Sequence, residues 1–134
     1  MATTTLNIIG CGRVGRALAR LWAQNGTFAI QDLLDHALDT SAAAAAFIGH
    51  GRAVSALGQM RRADVWMLTP PDDQIAACCA ALAGSGLLAA GDIVFHCSGA
   101  LPSSDLAPAA AHGAAVASVH PLKSFADPAI AVGT

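Results

Sequence analysis

The sequence predicts an α/β fold with a doubly wound, mainly parallel sheet in a single domain, and three observations carry that reading. Short apolar runs alternate with segments of helical periodicity along most of the 134 residues. A glycine-rich turn, Gly10-Cys11-Gly12-Arg13-Val14-Gly15, separates the first such run from the first helix. Later runs end at turn residues: Thr69-Pro70-Pro71, Ser98-Gly99-Ala100 and His120-Pro121.

Taken in order, Thr5 to Ile9 reads as a buried strand that Gly10 ends. Val14, Ala17, Leu18, Leu21 and Trp22 recur at the spacing of one helix face, with Arg13, Arg16, Arg20 and Gln24 elsewhere. A helix is therefore expected from Arg13 to Asn25, stopped by Gly26. Thr27 to Gln31 is expected to be the second strand, ending near Asp32. The Ala-rich run from Thr40 to Ile48 suits a helix capped by Thr40 or Ser41. Ala53 to Ser55 and Asp64 to Leu68 read as the third and fourth strands. Proline cannot continue a sheet ladder but is welcome at a helix start, so a helix is expected from Asp72 to Leu82. Asp92 to Cys97 and Ala114 to Val119 read as the last strands. Between them Ser104 to His112 is helical, its regularity interrupted by Pro108. Residues 1–122 then make one domain, and residues 123–134 a tail without clear periodicity, in which Ala129 to Val132 has strand character.

Composition excludes several classes of function. A chain that is 54% hydrophobic and 12% charged collapses rather than staying disordered. A formal charge of -2, with Lys123 the one lysine and the arginines scattered, leaves no surface for a nucleic-acid backbone. No stretch of about 18 apolar residues is present to span a bilayer, and Met1 to Leu6 lacks the basic and apolar regions of a signal peptide. Cys11, Cys78, Cys79 and Cys97 form no Cys-x-x-Cys pair and have no histidine at zinc-finger spacing. They read as reduced thiols of a cytoplasmic protein, and no metal site is expected.

The glycine turn carries the chemistry. A G-x-G-x-x-G between a strand and an amphipathic helix is the context of a dinucleotide fingerprint. Gly10 makes the tight turn, Gly12 lets a diphosphate approach the main chain, and Gly15 lets the helix pack close to the strand. Amides of the helix's first turn, at Cys11 to Gly15, then face the phosphates with the positive end of the helix dipole. Arg13 either adds charge to that cradle or is a solvated surface residue. Asp32, 22 residues after Gly10, is expected to accept hydrogen bonds from the adenosine ribose, which favours NAD; the alternative is a solvated turn residue. No Arg or Lys follows it to hold a 2′-phosphate, although a protonated His36 is available. NADP therefore stays open beside NAD.

Three later segments belong at the strand ends that border the ligand crevice of an open parallel sheet. They are Thr69-Pro70-Pro71-Asp72-Asp73, His96-Cys97-Ser98-Gly99, and Val119-His120-Pro121-Leu122-Lys123-Ser124-Phe125. His120 and Lys123 are the stronger candidates for proton transfer or carboxylate binding, with Ser98 and His96 behind them. His96 precedes its turn and has the alternative of pointing into the sheet. No G-x-S-x-G nucleophile elbow is present.

Asn7 to Gly15, Leu68 to Ile75, Phe95 to Ala100 and Ser118 to Phe125, in that order, resemble the Rossmann-like oxidoreductases that carry a C-terminal domain of unknown function 2520. These are similar in plan to pyrroline-5-carboxylate reductase, prephenate dehydrogenase and the deazaflavin-dependent NADP reductases. The resemblance implies a nicotinamide-dinucleotide fold and names no substrate. It implies that Gly10, Gly12, Arg13 and Val14 contact the diphosphate and that Thr69 and Pro70 border the nicotinamide ribose. Ser98 and Gly99 would lie beside the ring, with His120 on the substrate side. It also implies that residues 123–134 lead towards a helical second domain that the chain lacks. The expected activity is hydride transfer to or from a small carbonyl, imine or hydroxy acid; the alternative is a non-catalytic dinucleotide-binding or redox-sensing module or subunit. Loss of a partner domain would expose apolar surface, so self-association is expected.

Overall fold

The structure is a computed structural model that describes residues 4–98 and 103–119. His120, Lys123, Gly99 and the expected tail lie outside the described residues. Six strands form one parallel sheet: β1 (Thr5–Ile9), β2 (Ala29–Leu34), β3 (Arg52–Val54), β4 (Val65–Leu68), β5 (Ile93–His96) and β6 (Ala115–Ser118). Their order across the sheet is β3-β2-β1-β4-β5-β6. The chain therefore winds outward from β1 in one direction, returns, and winds outward in the other. The helices are α1 (Arg13–Gln24), α2 (Leu38–Ile48), α3 (Ile75–Ala83) and the short α4 (Ala107–Ala111).

The strands divide the core between the two faces of the sheet, alternating except in β2, where a register shift against β1 puts both Ile30 and Leu33 on one face. Leu6, Ile8, Ile30, Leu33, Val65, Met67 and Phe95 pack under α1 and α2 against Leu18, Ala19, Ala44 and Ile48. Ile9, Val54, Trp66, Leu68 and Val94 face the opposite way, against Ile75, Cys79, Leu82, Leu106 and Ala109 of the α3 and α4 side. Residues buried on both faces need no polar alternation, which is why the strands read as continuous apolar runs. No helix among the described residues is long and apolar enough to cross a membrane.

One rung crosses the whole sheet at its C-terminal edge. Val54 pairs with Leu34, Leu34 with Ile9, Ile9 with Leu68, Leu68 with His96, and His96 with Ser118. The residues that leave the sheet together are thus Ser55, Asp35, Gly10, Thr69, Cys97 and Val119. This register brings the glycine turn beside Thr69.

One strand and three helices differ from expectation. The Ala-rich helix α2 begins at Leu38, with Ala37 and not Thr40 or Ser41 at its N-cap. The second strand runs to Leu34 instead of ending near Asp32. Asp32 does not terminate it because the carboxylate is neutralised inside the strand. Arg52 Nε lies 3.0 Å from Oδ1, Arg61 Nη2 2.8 Å from Oδ1, and the Arg61 amide donates to Oδ2 at 2.7 Å. The remaining difference is that both later helices open with a 3-10 turn, at Asp72–Gln74 and at Ser103–Leu106. Pro108 is accommodated in the first turn of α4, where its missing N–H costs no hydrogen bond.

Candidate functional site

The glycine turn is shaped by β4. Gly10 has φ +83, a conformation that side chains disfavour, and a Cβ there would overlap the Pro70 backbone. A Cβ on Gly12 would sit 3.1 Å from the Thr69 carbonyl oxygen. A Cβ on Gly15 would overlap the Thr69 hydroxyl. Thr69 in turn donates its amide to Ile9 at 2.8 Å and its hydroxyl to the Gly10 carbonyl. Thr69 and Pro70, at the exit of β4, together account for close packing at all three glycines.

Above this turn the first turn of α1 has neither a side-chain cap nor an acidic residue. Four amides at a helix start have no intrahelical partner, and no side chain of the helix's own first turn caps or neutralises them. Beside them opens a hollow of about 750 Å³, walled by Gly10 to Gly12, Leu34 to His36, Ser55 to Leu57 and Thr69 to Pro71, with Gln74 and Cys78 closing it. The Cys11 side chain does not fill it. That residue is buried, with Sγ 3.7 Å from the Leu34 carbonyl oxygen. Burial, reinforced by the Asp35 charge, pushes its thiol up to about 12. Gln59 stiffens the Ser55–Leu57 wall by accepting the amides of Ser55 and Ala56 at 2.9 and 3.1 Å.

Asp32, expected at the ribose, is elsewhere. It is fully buried within β2 and is not part of the wall of the hollow. Burial acts to raise its carboxyl, but hydrogen bonds from Arg61 and Arg52 outweigh that effect and hold it below the ordinary carboxylate range. Asn7 completes the network, accepting the Asp32 amide at 3.0 Å and donating to the Arg61 carbonyl at 2.6 Å. The acid that does leave the end of β2 is Asp35. Its Oδ2 accepts the Cys11 amide at 2.8 Å, and its Oδ1 accepts the His36 amide at 2.7 Å with His36 Nδ1 2.6 Å away. A carboxylate has about four acceptor positions, so these contacts leave room for another donor. The spacing signal was available: Asp35 lies 20 residues after Gly15.

A smaller cavity of about 140 Å³ lies on the other side of the turn, between α1 and the exits of β4 and β5. Gly12, Thr69 and Pro70 border both spaces. Arg13, Val14, Asp72, Cys97 and Ser98 help line the smaller one. The Ser98 hydroxyl donates to Asp72 Oδ2 at 2.9 Å, a partner that sequence reasoning did not assign. His96 is fully buried and its Nδ1 accepts the Ser98 amide at 3.1 Å, so it holds the turn in which Ser98 sits. Burial pushes the Cys97 thiol up to about 12. Among the described residues no cluster of His, Cys, Asp or Glu has the arrangement of a metal site.

The bare turn and uncapped helix start fit a diphosphate, and the hollow has space for an adenosine. Solved structures of this architecture match the chain at low identity. A diketoreductase shares 22% identity and a TM-score of 0.71, over 90% of this chain and 50% of its own. Synechocystis arogenate dehydrogenase shares 17% and 0.64, over 80% and 37%. Prephenate dehydrogenase from A. aeolicus, solved with hydroxyphenyl propionate and NAD+, shares 16% and 0.63, over 84% and 39%. The chain therefore spans half or less of the length of these three. No curated protein sequence matches it. The strand order, the glycine turn between β1 and α1 and the crevice beside β4 all lie within residues 1–121, which a family model described as the Rossmann-like domain matches; the chain belongs to that family.

Proposed function

We propose that this domain binds NAD and forms the cofactor half of an oxidoreductase acting on a small carbonyl, imine or hydroxy acid. The observation that carries the reading is the glycine turn at the β1–β4 switch point, open to a hollow on one side and a cavity on the other. When bound, the nicotinamide supplies or takes the hydride. The protein's part is binding and orientation. Amides from Gly12 to Gly15 hold the diphosphate, with Arg13 adding charge at the exposed edge. Asp35, in the place first given to Asp32, accepts a ribose hydroxyl. The same carboxylate disfavours a 2′-phosphate, which selects NAD over NADP. Thr69 and Pro70 border the second ribose, and Ser98 lies beside the ring. His120 or Lys123 handles the accompanying proton.

Titration with NADH, followed by nicotinamide fluorescence, tests this reading. Saturable binding that Gly12→Val abolishes, with the circular dichroism spectrum retained, supports it. An unchanged affinity in Gly12→Val, or no binding by the wild type at millimolar NADH, overturns it.

A further inference from the structure

The smaller cavity contains a negative charge with no assigned task. Asp72 is exposed at the start of the 3-10 turn preceding α3, and its carboxylate is fixed from one side by the Ser98 hydroxyl at 2.9 Å. Ser98 is itself buried, so the carboxylate is tethered to a rigid part of the fold. Among the described residues no cation lies within ion-pair distance of Asp72; the ion pairs present involve Asp32 and Asp35. Arg13 lines the same cavity, at the first position of α1, where it borders the glycine turn.

We propose that Asp72 makes this site prefer the oxidised dinucleotide over the reduced one. The inference rests on the dinucleotide reading above. With the diphosphate on the glycine turn and the adenosine in the larger hollow, the remaining space beside Gly12 and Thr69 is the smaller cavity, and the nicotinamide end goes there. The oxidised ring carries a positive charge and the reduced ring carries none; the rest of the ligand is the same in both. A carboxylate in that cavity therefore attracts one form more than the other. Its effect on the diphosphate, and that of Arg13, is common to both forms and cancels in the ratio of affinities. Because Asp72 is open to solvent, the selectivity is about three- to tenfold and weakens as salt rises.

The test is calorimetric titration of the wild type and Asp72→Asn with NAD+ and with NADH. Asn keeps the shape and an acceptor for Ser98, and the site is exposed, so the fold is retained. The ratio of the NADH to the NAD+ dissociation constant is expected to fall by about three- to tenfold in Asp72→Asn, mainly through weaker NAD+ binding. Ser98→Ala, which frees the carboxylate, is expected to give a smaller fall in the same direction. An unchanged ratio overturns the proposal, and so does equal tightening of both forms, which would mean that the charge acts only on the diphosphate. Either result leaves the dinucleotide reading standing. Failure of both forms to bind the wild type overturns that reading and this one with it.

Discussion

Thr69 occupies the space that a Gly15 side chain would need, while its hydroxyl is held by the Gly10 carbonyl. The third glycine of the motif thus serves the threonine that follows β4 as much as the strand β1. Gly15→Ala gains helix propensity worth about 1 kcal/mol, but it forces the pinned hydroxyl aside at an overpacking cost of about 1–3 kcal/mol. Net destabilisation is expected by urea unfolding. Thr69→Ala in the same background removes the overlap, so the double variant should be more stable than the sum of the singles predicts.

Asp32 is a fold-maintaining residue, and its replacement separates stability from binding. Asp32→Asn weakens the hydrogen bonds to two half-exposed arginines and is expected to cost about 1–3 kcal/mol. NAD affinity of the folded fraction should stay unchanged. The pH dependence has a definite sign. The folded carboxyl lies below its unfolded value of about 3.9. Its contribution is therefore full above the unfolded value and is lost as pH falls through the folded one. The stability gap between wild type and Asp32→Asn should be flat from neutral pH down to about pH 5 and close in stronger acid.

Asp35 is expected to behave in the opposite way. Asp35→Asn retains an acceptor for the Cys11 amide, so the fold persists, but it removes the charge that opposes a 2′-phosphate. The NAD-to-NADP affinity ratio should drop by about tenfold, the equivalent of one charged hydrogen bond. Competitive titration with both cofactors measures it.

The thiols are expected to be inert in the native state. Burial raises all four, Cys11 and Cys97 to about 12. Since the thiolate is the nucleophile, iodoacetamide at pH 8 should label them far more slowly than free cysteine. Mass spectrometry of labelled native and urea-unfolded protein checks this, with full labelling only after unfolding.

Local patterns made much of the architecture legible. The run Thr5–Ile9, the glycine turn and the stripe along α1 coincide with β1, the loop and α1, because apolar periodicity and glycine placement are properties of neighbouring residues. The end of β2 was not legible, because Asp32 is stabilised by Arg52 and Arg61, far along the chain. An acid in an apolar run looks like a terminus until those partners are known. Thr69 was visible as a strand end, but its hold on Gly10, Gly12 and Gly15 depends on the pairing of Ile9 with Leu68. The Asp72–Ser98 link likewise joins two strand exits that only the sheet order brings together.

Main-chain amides of the glycine turn are proposed to receive a diphosphate. Amide chemical shifts of labelled protein titrated with ADP-ribose, which carries the diphosphate and no nicotinamide, test this directly. The predicted result is large, saturable shifts at Gly12, Arg13, Val14 and Gly15, with smaller ones at Asp35. Saturable shifts confined to other surfaces, or none at millimolar ligand, would contradict it.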